Sequence, residues 1–576
     1  MSYIKKLNKK LSKRFDDSVE AREERGLLIL SGSLPHWHDV VAAGMMSLNP
    51  KRYDGLVNDI RCTAERPQPL RLPSIKDSAL AGEQPDVLII GGGVIGCAIA
   101  REMVRYDLDV LLVEKEHDLA MQTSGRNDGL VHAGMDLKDG TQKYIYCMAG
   151  NEMFGDVCAE LGVNFERPGQ YICFDLITWK PLLYLSKLYW FWMGLKKVKV
   201  LNKRKLNERE PAISQNICAA LYFPSTGIVS PYNLTIAYAE NAVQNGARVF
   251  LDTVVLDMEV EDGIIRTVNT NRGKIRPKLV INAAGVFCED ISKMAHDRFY
   301  SIHPRKGTSA VMDRKFSDLL VRTAASSFAT AATKKAHTKG GGVFRTIDGN
   351  VLVGPDAFET IEKEDFSTWR YNVADTIARQ GNTSPALSED KIISYFSGIR
   401  ASTYEEDFVV CKGRFTKNLI HAAGIQSPGL TAAPAIGVDV TRMAVELLGG
   451  RNIVAQRADF NPKRDVTPNL SKLDIESRAQ LVAQNPDYGV IVCRCEEISK
   501  GEVLDALRRN VPCDTLDGVK RRVRPGMGRC QGSFCGPLVH EIIARERHMQ
   551  LSDVKKGSGK SEILYGAVKQ KYKERR

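Results

Sequence analysis

The sequence lacks any uninterrupted run of 18 apolar residues, which excludes an obvious membrane-spanning helix. The segment that comes nearest, residues 182–195, is shorter and is interrupted by Ser186 and Lys187. Its pattern predicts an amphipathic helix that leads into the basic stretch 196–199, either packed against the protein as a buried or lid helix or docked on a membrane surface. The first residues also lack the apolar core and cleavage site of a secretory signal. We therefore expect a cytoplasmic protein, with a peripheral position at the inner face of the membrane as the alternative.

Extreme composition is absent as well. Hydrophobic residues make up 43% and charged residues 26%, which argues against disorder, a collagen-like chain and a membrane bundle. Lys and Arg exceed Asp and Glu by 81 to 69, but the excess is spread along the chain and predicts no nucleic-acid partner. It suits an anionic substrate or a membrane surface. Most of the 13 cysteines follow no regular spacing, so we expect a reducing compartment, where clustered cysteines bind metals before they form disulfides.

The first 80 residues predict a small unit joined to a linker. Residues 1–13 form a basic arm, and a strand at 26–30, a helix at 38–48 and a strand at 55–60 make a βαβ module. This pattern faintly resembles the BON module, a small domain associated with lipids or partners. The proline-rich stretch 62–84 has few apolar periodicities and predicts the linker.

A dinucleotide-binding pattern begins at residue 86. The apolar strand 86–90 runs into Gly91, Gly93 and Gly96, and a helix, a second strand and Glu114 follow. The three glycines allow a tight turn, approach of a pyrophosphate to the backbone, and close packing of helix on strand. The acidic residue accepts hydrogen bonds from a ribose. With both strands and the helix in place, the pattern is specific for a dinucleotide.

Later segments favour a flavin over a nicotinamide. Residues 123–134 are small, polar and glycine-rich, so they can run beside a flavin without blocking it. Residues 279–285 form an apolar strand that ends in small residues. Residues 419–424 precede a helix expected near Ala432, whose amino terminus would favour negative charge on a reduced flavin.

Residues 86–450 resemble the D-amino-acid oxidase type of flavoprotein, and within it the FAD-dependent glycerol-3-phosphate and L-2-hydroxyglutarate dehydrogenases. The resemblance is carried by the glycine motif and by residues 125–134, 209–211, 225–229, 282–285, 306–307, 398–400 and 423–424. It implies a Rossmann-like FAD-binding domain with an interleaved antiparallel-sheet substrate domain. The FAD-binding residues that it implies are Gly91, Gly93, Gly96, Glu114, Lys115, Thr123, Ser124, Asn127, Gly129, Val254, Ala284, Gly285, Gly424, Gly429, Leu430 and Thr431.

Four cysteines near the carboxyl terminus form two tight pairs, Cys493 with Cys495 and Cys530 with Cys535. Four thiolates can hold a [2Fe–2S] cluster, and zinc is the alternative, although its ribbons favour a two-residue spacer. Residues 489–570, which follow a linker at 451–488, resemble the bacterioferritin-associated-ferredoxin-like domain. The resemblance implies that these cysteines bind a [2Fe–2S] cluster in a small helical domain, so the expected fold combines α/β and α+β parts.

The resemblance also implies the reaction. Arg400 matches the family's substrate-anion arginine, Lys306 is a second anion-binding candidate, and His132 could accept the hydroxyl proton. The expected enzyme is a dehydrogenase of a small anionic alcohol that passes a hydride to FAD, with electrons leaving through the cluster to an acceptor protein or a quinone-linked subunit. Each of the three residues also has an alternative interpretation without a catalytic role. Arg400 could be a salt-bridged structural arginine, His132 could only hydrogen-bond the loop backbone or the flavin, and Lys306 could be solvated.

Two departures from the glycerol-3-phosphate branch leave the substrate open. Asp136 stands where that branch carries an arginine, and residues 424–431 lack its lysine. These features favour a 2-hydroxy acid such as L-2-hydroxyglutarate, whereas the fused cluster domain favours glycerol 3-phosphate. Asp136 could also pair with the ammonium of an amino or imino acid. A non-catalytic electron-transfer subunit that docks a partner flavoprotein is the alternative from another class.

Overall fold

The computed structural model describes residues 3–175, 180–195, 197–319, 324–327, 341–450 and 452–566. Residue 196 of the predicted basic stretch, residue 451 of the predicted linker and residues 567–570 of the predicted cluster domain lie outside these ranges. The domain boundaries given above stay predictions.

The amino-terminal unit contains the predicted βαβ module. Strands β2 and β3 are parallel, α2 connects them, and β1 adds to β2 in an antiparallel sense. The basic arm forms a helix because Leu7, Leu11 and Phe15 recur at helical spacing and are buried against this sheet. The bounds are α1 (Tyr3–Phe15), β1 (Val19–Glu24), β2 (Leu27–Leu34), α2 (Trp37–Ser47) and β3 (Leu56–Cys62).

The predicted linker is held to the rest of the protein. Leu80 is fully buried, and its backbone N–H donates to the carbonyl of Arg272 over 2.8 Å. The Arg272 guanidinium also pairs with Asp77 at 2.8 Å. These contacts fix the path of residues 77–80 along the nucleotide-binding part.

A six-stranded sheet of order β12-β5-β4-β16-β24-β23 forms the nucleotide-binding part, with only β23 antiparallel to its neighbour. Both faces are covered, as the unbroken apolar strands require: Val87 and Ile89 pack on helices, and Leu88 and Ile90 pack on a small sheet. The strands are β4 (Val87–Ile90), β5 (Val110–Val113), β12 (Arg248–Phe250), β16 (Leu279–Asn282), β23 (Val409–Lys412) and β24 (Leu419–Ala423). The covering elements are α3 (Val94–Met103), α4 (Gln142–Leu161), α7 (Pro231–Gln244), α8 (Cys288–Met294), α10 (Gly429–Leu447), β13 (Val255–Glu261), β14 (Ile264–Thr270) and β15 (Gly273–Ile275).

The second large sheet is mostly antiparallel, as predicted for the substrate part, although its strands β8 and β18 pair in parallel. Its long strands β17 and β22 run side by side and place Arg305 directly opposite Arg400. The strands are β8 (Gln170–Phe174), β9 (Lys199–Asn202), β10 (Ala219–Phe223), β17 (Ile302–Met312), β18 (Ala324–Ser327), β19 (Gly342–Arg345), β20 (Val351–Gly354), β21 (Phe358–Glu359) and β22 (Ile392–Thr403). Nearby elements are α5 (Lys180–Trp192), α6 (Lys203–Arg209), α9 (Arg370–Gly381), β6 (Leu130–Val131), β7 (Phe165–Glu166) and β11 (Gly227–Val229).

The carboxy-terminal unit is small and mainly helical, which confirms the expected class. Ser499 and Glu502 form a capping box that opens its first core helix, and Pro537 lies in the first turn of its last helix. The bounds are α11 (Ile475–Gln484), β25 (Ile491–Cys493), β26 (Ile498–Ser499), α12 (Lys500–Arg508), α13 (Leu516–Val523) and α14 (Gly536–Glu546).

Candidate active site and cysteine cluster

The glycine-rich turn after β4 leaves no room for side chains. A Cβ atom on Gly91, whose φ is +114°, would lie 2.4 Å from the carbonyl oxygen of Ala283. A Cβ on Gly96 would lie 1.9 Å from the carbonyl oxygen of Gly91, so α3 packs directly on the turn. Gly93 immediately precedes α3, and Ser124 Oγ accepts from the N–H of Val94 at 2.9 Å. This cradle of backbone at a helix amino terminus fits the pyrophosphate of FAD.

We expect Gly96→Val to yield protein without flavin, because its side chain would separate α3 from the turn. The measurement is the flavin-to-protein ratio after purification. Gly155→Ala on α4 is the matched control, since a Cβ there meets nothing within 4 Å. Full flavin content in the Gly96 variant would show that this turn does not bind the cofactor.

Glu114 follows β5 and accepts from the backbone N–H groups of Gly92 at 2.5 Å and Glu116 at 2.8 Å. Burial raises the pKa of its carboxyl to about 7, against the opposing effect of these N–H donors. The hydroxyls of a ribose would add donors that favour the ionised form. Lys115 pairs with Glu116 and Glu364, so its charge is already balanced, and its predicted contact with the cofactor stays a prediction.

The loop predicted to run beside the flavin is fixed by its own polar groups. The side-chain amide of Asn127 donates to the carbonyls of Thr123 and Ser124, and its oxygen accepts from the N–H of Gly129. The Thr123 hydroxyl donates to the carbonyl of Ile399 over 2.6 Å, which joins this loop to β22 of the substrate sheet. The loop therefore lies between the start of α3 and β22 of the substrate sheet.

The remaining predicted FAD residues lie at the carboxyl ends of neighbouring strands. Ala284 and Gly285 follow β16, Gly424 follows β24, and Val254 lies directly after Thr253, whose N–H donates to the carbonyl of Glu114. Helix α10, which follows β24, begins at Gly429 rather than near Ala432 and includes Leu430 and Thr431. Parallel strands place their carboxyl ends at one edge, so the topology brings the predicted set together at the usual ligand edge of such sheets.

His132 lies at the end of the flavin loop and is half-buried. Its backbone N–H donates to Thr431 Oγ1 at 2.8 Å, and its ring Nε2 is 3.3 Å from Ser427 Oγ. The imidazole therefore lies beside the amino terminus of α10. This position suits a group that accepts a substrate proton, while its catalytic role stays a prediction.

The Arg400 guanidinium donates to the carbonyl of Asp356 at 3.4 Å. Among the described residues, no carboxylate lies within 4 Å of it. Burial and then the charge of Arg305 lower the pKa of Arg400, which means that the cation gains from an anionic ligand. Arg305, by contrast, pairs with Glu359 and Glu406.

The structure does not place Lys306 beside Arg400. Successive residues of a strand point to opposite faces, and Arg305 is directly opposite Arg400, so Lys306 points to the other face. Its ammonium is buried and donates to Asp365 at 2.6 Å and Ser367 at 3.1 Å. These contacts show that the Lys306 ammonium is already neutralised by Asp365 in a buried ion pair. Asp136, considered above as a partner for an ammonium, is exposed.

The four predicted cluster ligands converge. The sulfurs of Cys493 and Cys495 are 3.8 Å apart, the thiol of Cys535 donates to Cys493, and Cys530 interacts with Cys495. The Cys535 thiol and the N–H groups of Gly526 and Glu496 lower the pKa of Cys493 to about 5, which favours a thiolate. Within the described ranges, no three His, Cys, Asp or Glu side chains surround a point for a single metal ion. Four thiols in linked pairs fit a dinuclear cluster.

Buried ion pairs join the cysteine unit to the flavin part. Asp118 accepts two hydrogen bonds from Arg522 at 2.9 Å and one from Arg521 at 2.7 Å. The two arginines hold the pKa of Asp118 well below its usual range, although burial opposes them. A second contact joins Arg524 to Asp348, which lies between β19 and β20 of the substrate sheet. Sequence reasoning missed these residues, because charges between 176 and 404 positions apart carry no local pattern.

Comparison with known proteins defines the class. Residues 86–443 match the family described as FAD dependent oxidoreductase, and residues 491–545 match the family described as BFD-like [2Fe-2S] binding domain. The chain belongs to the FAD-dependent oxidoreductases and carries a BFD-like cluster domain. This confirms the predicted family, enzyme class and cofactors, and it favours iron–sulfur over zinc. Among the described residues, helices that are both long and apolar enough to cross a membrane are absent.

Individual relatives narrow the comparison. Glycerol 3-phosphate dehydrogenase of Caloramator mitchellensis is 39% identical over 490 residues, which cover 84% of this chain and 99% of that protein. Anaerobic glycerol-3-phosphate dehydrogenase subunit A1 of Haloferax volcanii is 27% identical and covers 81% and 83%. L-2-hydroxyglutarate dehydrogenase of Indibacter alkaliphilus is 24% identical and covers 62% and 98%.

The fold is also seen in solved structures. The dithionite-reduced L-α-glycerophosphate oxidase of Mycoplasma pneumoniae, with FAD bound, aligns with a TM-score of 0.61 and 27% identity, covering 67% of this chain and all of that one. The fold of the flavin and substrate parts therefore agrees with the sequence-based expectation.

Proposed function

We propose that this enzyme oxidises glycerol 3-phosphate to the corresponding ketone and passes the electrons through its [2Fe–2S] domain to a partner. The observation that carries the proposal is Arg400, a half-buried cation without a carboxylate partner among the described residues. It directly follows Ile399, whose carbonyl accepts from Thr123 of the flavin loop. A guanidinium fork fits a phosphate dianion. The 39% identity with a glycerol 3-phosphate dehydrogenase supports the phosphate over a carboxylate.

The residues of the site would have different roles in the reaction. Arg400 would bind and orient the phosphate, and the His132 imidazole would accept the proton of the secondary hydroxyl. The bound flavin supplies a two-electron acceptor for the substrate hydride. Residues 123–129 and the start of α10 would hold the reacting carbon against it and exclude water. Lys306 would act by keeping Asp365 and β17 in place rather than by contacting substrate.

The electrons would leave through the exposed edge of the cysteine unit. Cys495 is exposed, and Phe534, between the last two cluster cysteines, is 84% exposed. A cluster near the surface favours a one-electron acceptor that docks there, which we propose to be a protein or a quinone-linked subunit. The relative named as subunit A1 supports a partner chain. A quinone-linked acceptor would keep the enzyme at the inner face of the membrane.

An anaerobic substrate screen tests the proposal. Glycerol 3-phosphate should bleach the flavin absorption of the holoenzyme and then reduce the cluster, observed by electron paramagnetic resonance. L-2-hydroxyglutarate and amino acids should bleach it far more slowly. Faster bleaching by L-2-hydroxyglutarate would favour the 2-hydroxy acid that Asp136 and residues 424–431 suggested. Bleaching by none of them would favour the electron-transfer subunit.

A further inference from the structure

An apolar helix surface lies outside the catalytic machinery. Seven large apolar side chains of the 13-residue helix α5 are each between 52% and 80% exposed. We name them the α5 surface: Leu182, Tyr184, Leu185, Leu188, Tyr189, Phe191 and Trp192. We propose that the α5 surface docks this enzyme on an anionic lipid membrane, with the helix lying in the interface.

The helix is fixed to the protein by its opposite side, so its exposure is part of the fold. Leu183 and Leu195 are buried in a cluster with Ala133 and Phe223, and the Trp190 ring packs edge-on against Phe223 at 5.6 Å between ring centres. The hydroxyl of Tyr144 on α4 donates to the carbonyl of Met193 at 2.6 Å. The exposed residues cannot turn inwards without breaking these contacts. A contiguous apolar surface of this kind marks an interaction site, whereas scattered exposed apolar residues do not.

The charges beside the helix identify the partner. Lys187 on α5 and Lys197 and Lys199 just after it are exposed, and among the described residues no carboxylate lies within 4 Å of any of them. The basic start of α6, residues 203–205, follows directly. Apolar and aromatic side chains bordered by lysines are the pattern of helices that bind anionic lipid headgroups. A second protein copy would bring the same lysines to the contact and would be repelled.

The length of α5 decides how it meets the membrane. A spanning helix needs about 20 apolar residues, and α5 has 13 with Lys187 inside it. It therefore lies along the surface, where tyrosine and tryptophan rings prefer the headgroup level. Its buried side packs on Ala133 and Met135, directly after His132, so the docked surface would lie close to the flavin loop. The proposal does not depend on which substrate is oxidised.

Vesicle flotation of the holoenzyme tests this surface. The probes are vesicles of phosphatidylglycerol with phosphatidylcholine in equal parts, and vesicles of phosphatidylcholine alone. We expect binding to be about tenfold tighter on the anionic vesicles and to weaken with salt. The double variant Trp192→Ser, Leu185→Ser should lose it, with flavin content and substrate-dependent bleaching unchanged. The variant Lys197→Glu, Lys199→Glu should lose the preference for anionic vesicles.

A matched control comes from another exposed aromatic pair. Trp369 and Tyr371, at the start of α9, are 54% and 67% exposed and stack on each other, so Trp369→Ser with Tyr371→Ser removes similar apolar area. This variant should float like the wild type. A blue shift of tryptophan fluorescence on anionic vesicles, lost in Trp192→Phe, reports contact without removing much apolar area. Wild-type protein that floats with neither vesicle, or a dimer that Trp192→Ser dissociates, would overturn the proposal.

Discussion

Replacing Arg400 with methionine should lower kcat/KM for glycerol 3-phosphate by about three orders of magnitude and leave FAD bound. Removing one member of a buried charged hydrogen-bonded pair costs about 4 kcal/mol, which corresponds to roughly that factor. The loss should be this large because Arg305 is already paired with Glu359 and Glu406, and Lys306 with Asp365, so neither can replace the missing cation. Steady-state rates with an artificial acceptor measure the effect.

The matched control is Arg345→Met, an exposed arginine on β19 of the same sheet, which should keep its rate. Arg400→Lys should recover part of the activity, because lysine keeps the charge but lacks the planar fork. The flavin spectrum of each variant shows whether the cofactor site is intact. An unchanged kcat/KM in Arg400→Met would mean that the substrate anion binds elsewhere.

The nucleotide-binding part could be predicted because its physics is local. The strand, the three glycines and Glu114 fall within 29 residues, and each has a role set by backbone geometry that the sequence displays directly. Each cysteine pair is also close in the sequence, and few kinds of metal centre are bound by cysteines at this spacing, so the cluster could be predicted as well. The same holds for the βαβ module, whose strand 55–60 appears as β3 with a shift of one or two residues.

The substrate side could not be predicted to the same depth. Whether Lys306 faces Arg400 depends on the register of β17 on β22, and a shift of one residue would exchange the two faces. The partners of Lys115 come from residue 116 and from residue 364, far along the chain. Sequence patterns identify residue types and periodicities, but ion pairs between distant segments form only after the sheets are assembled. Helix α5 likewise buries only one of its faces, and which face that is depends on the tertiary structure.

Asp118→Asn should loosen the cysteine unit from the flavin part. The variant leaves Arg522, whose side chain is 1% exposed, without its carboxylate, and Arg521 loses the same partner. Breaking a buried pair by removing one member costs about 4 kcal/mol. Substrate should still bleach the flavin at the wild-type rate, whereas cluster reduction should lag, because the contact between the two parts is weakened. Stopped-flow absorbance for the flavin and freeze-quenched paramagnetic resonance for the cluster separate the two steps.

The pH dependence of stability gives this prediction a second readout. The folded-state pKa of Asp118 is depressed, so its contribution is present above the ordinary carboxyl pKa of about 4 and is lost as the pH falls further. The difference in urea midpoint between wild type and Asp118→Asn should therefore be large at neutral pH and shrink in acid. Asp517→Asn is the control, since its partner Lys556 is exposed and the pair should contribute at most about 1 kcal/mol. Equal midpoints and equal cluster reduction in the Asp118 variant would show that other contacts, such as that of Arg524 with Asp348 of the substrate part, hold the cysteine unit in place.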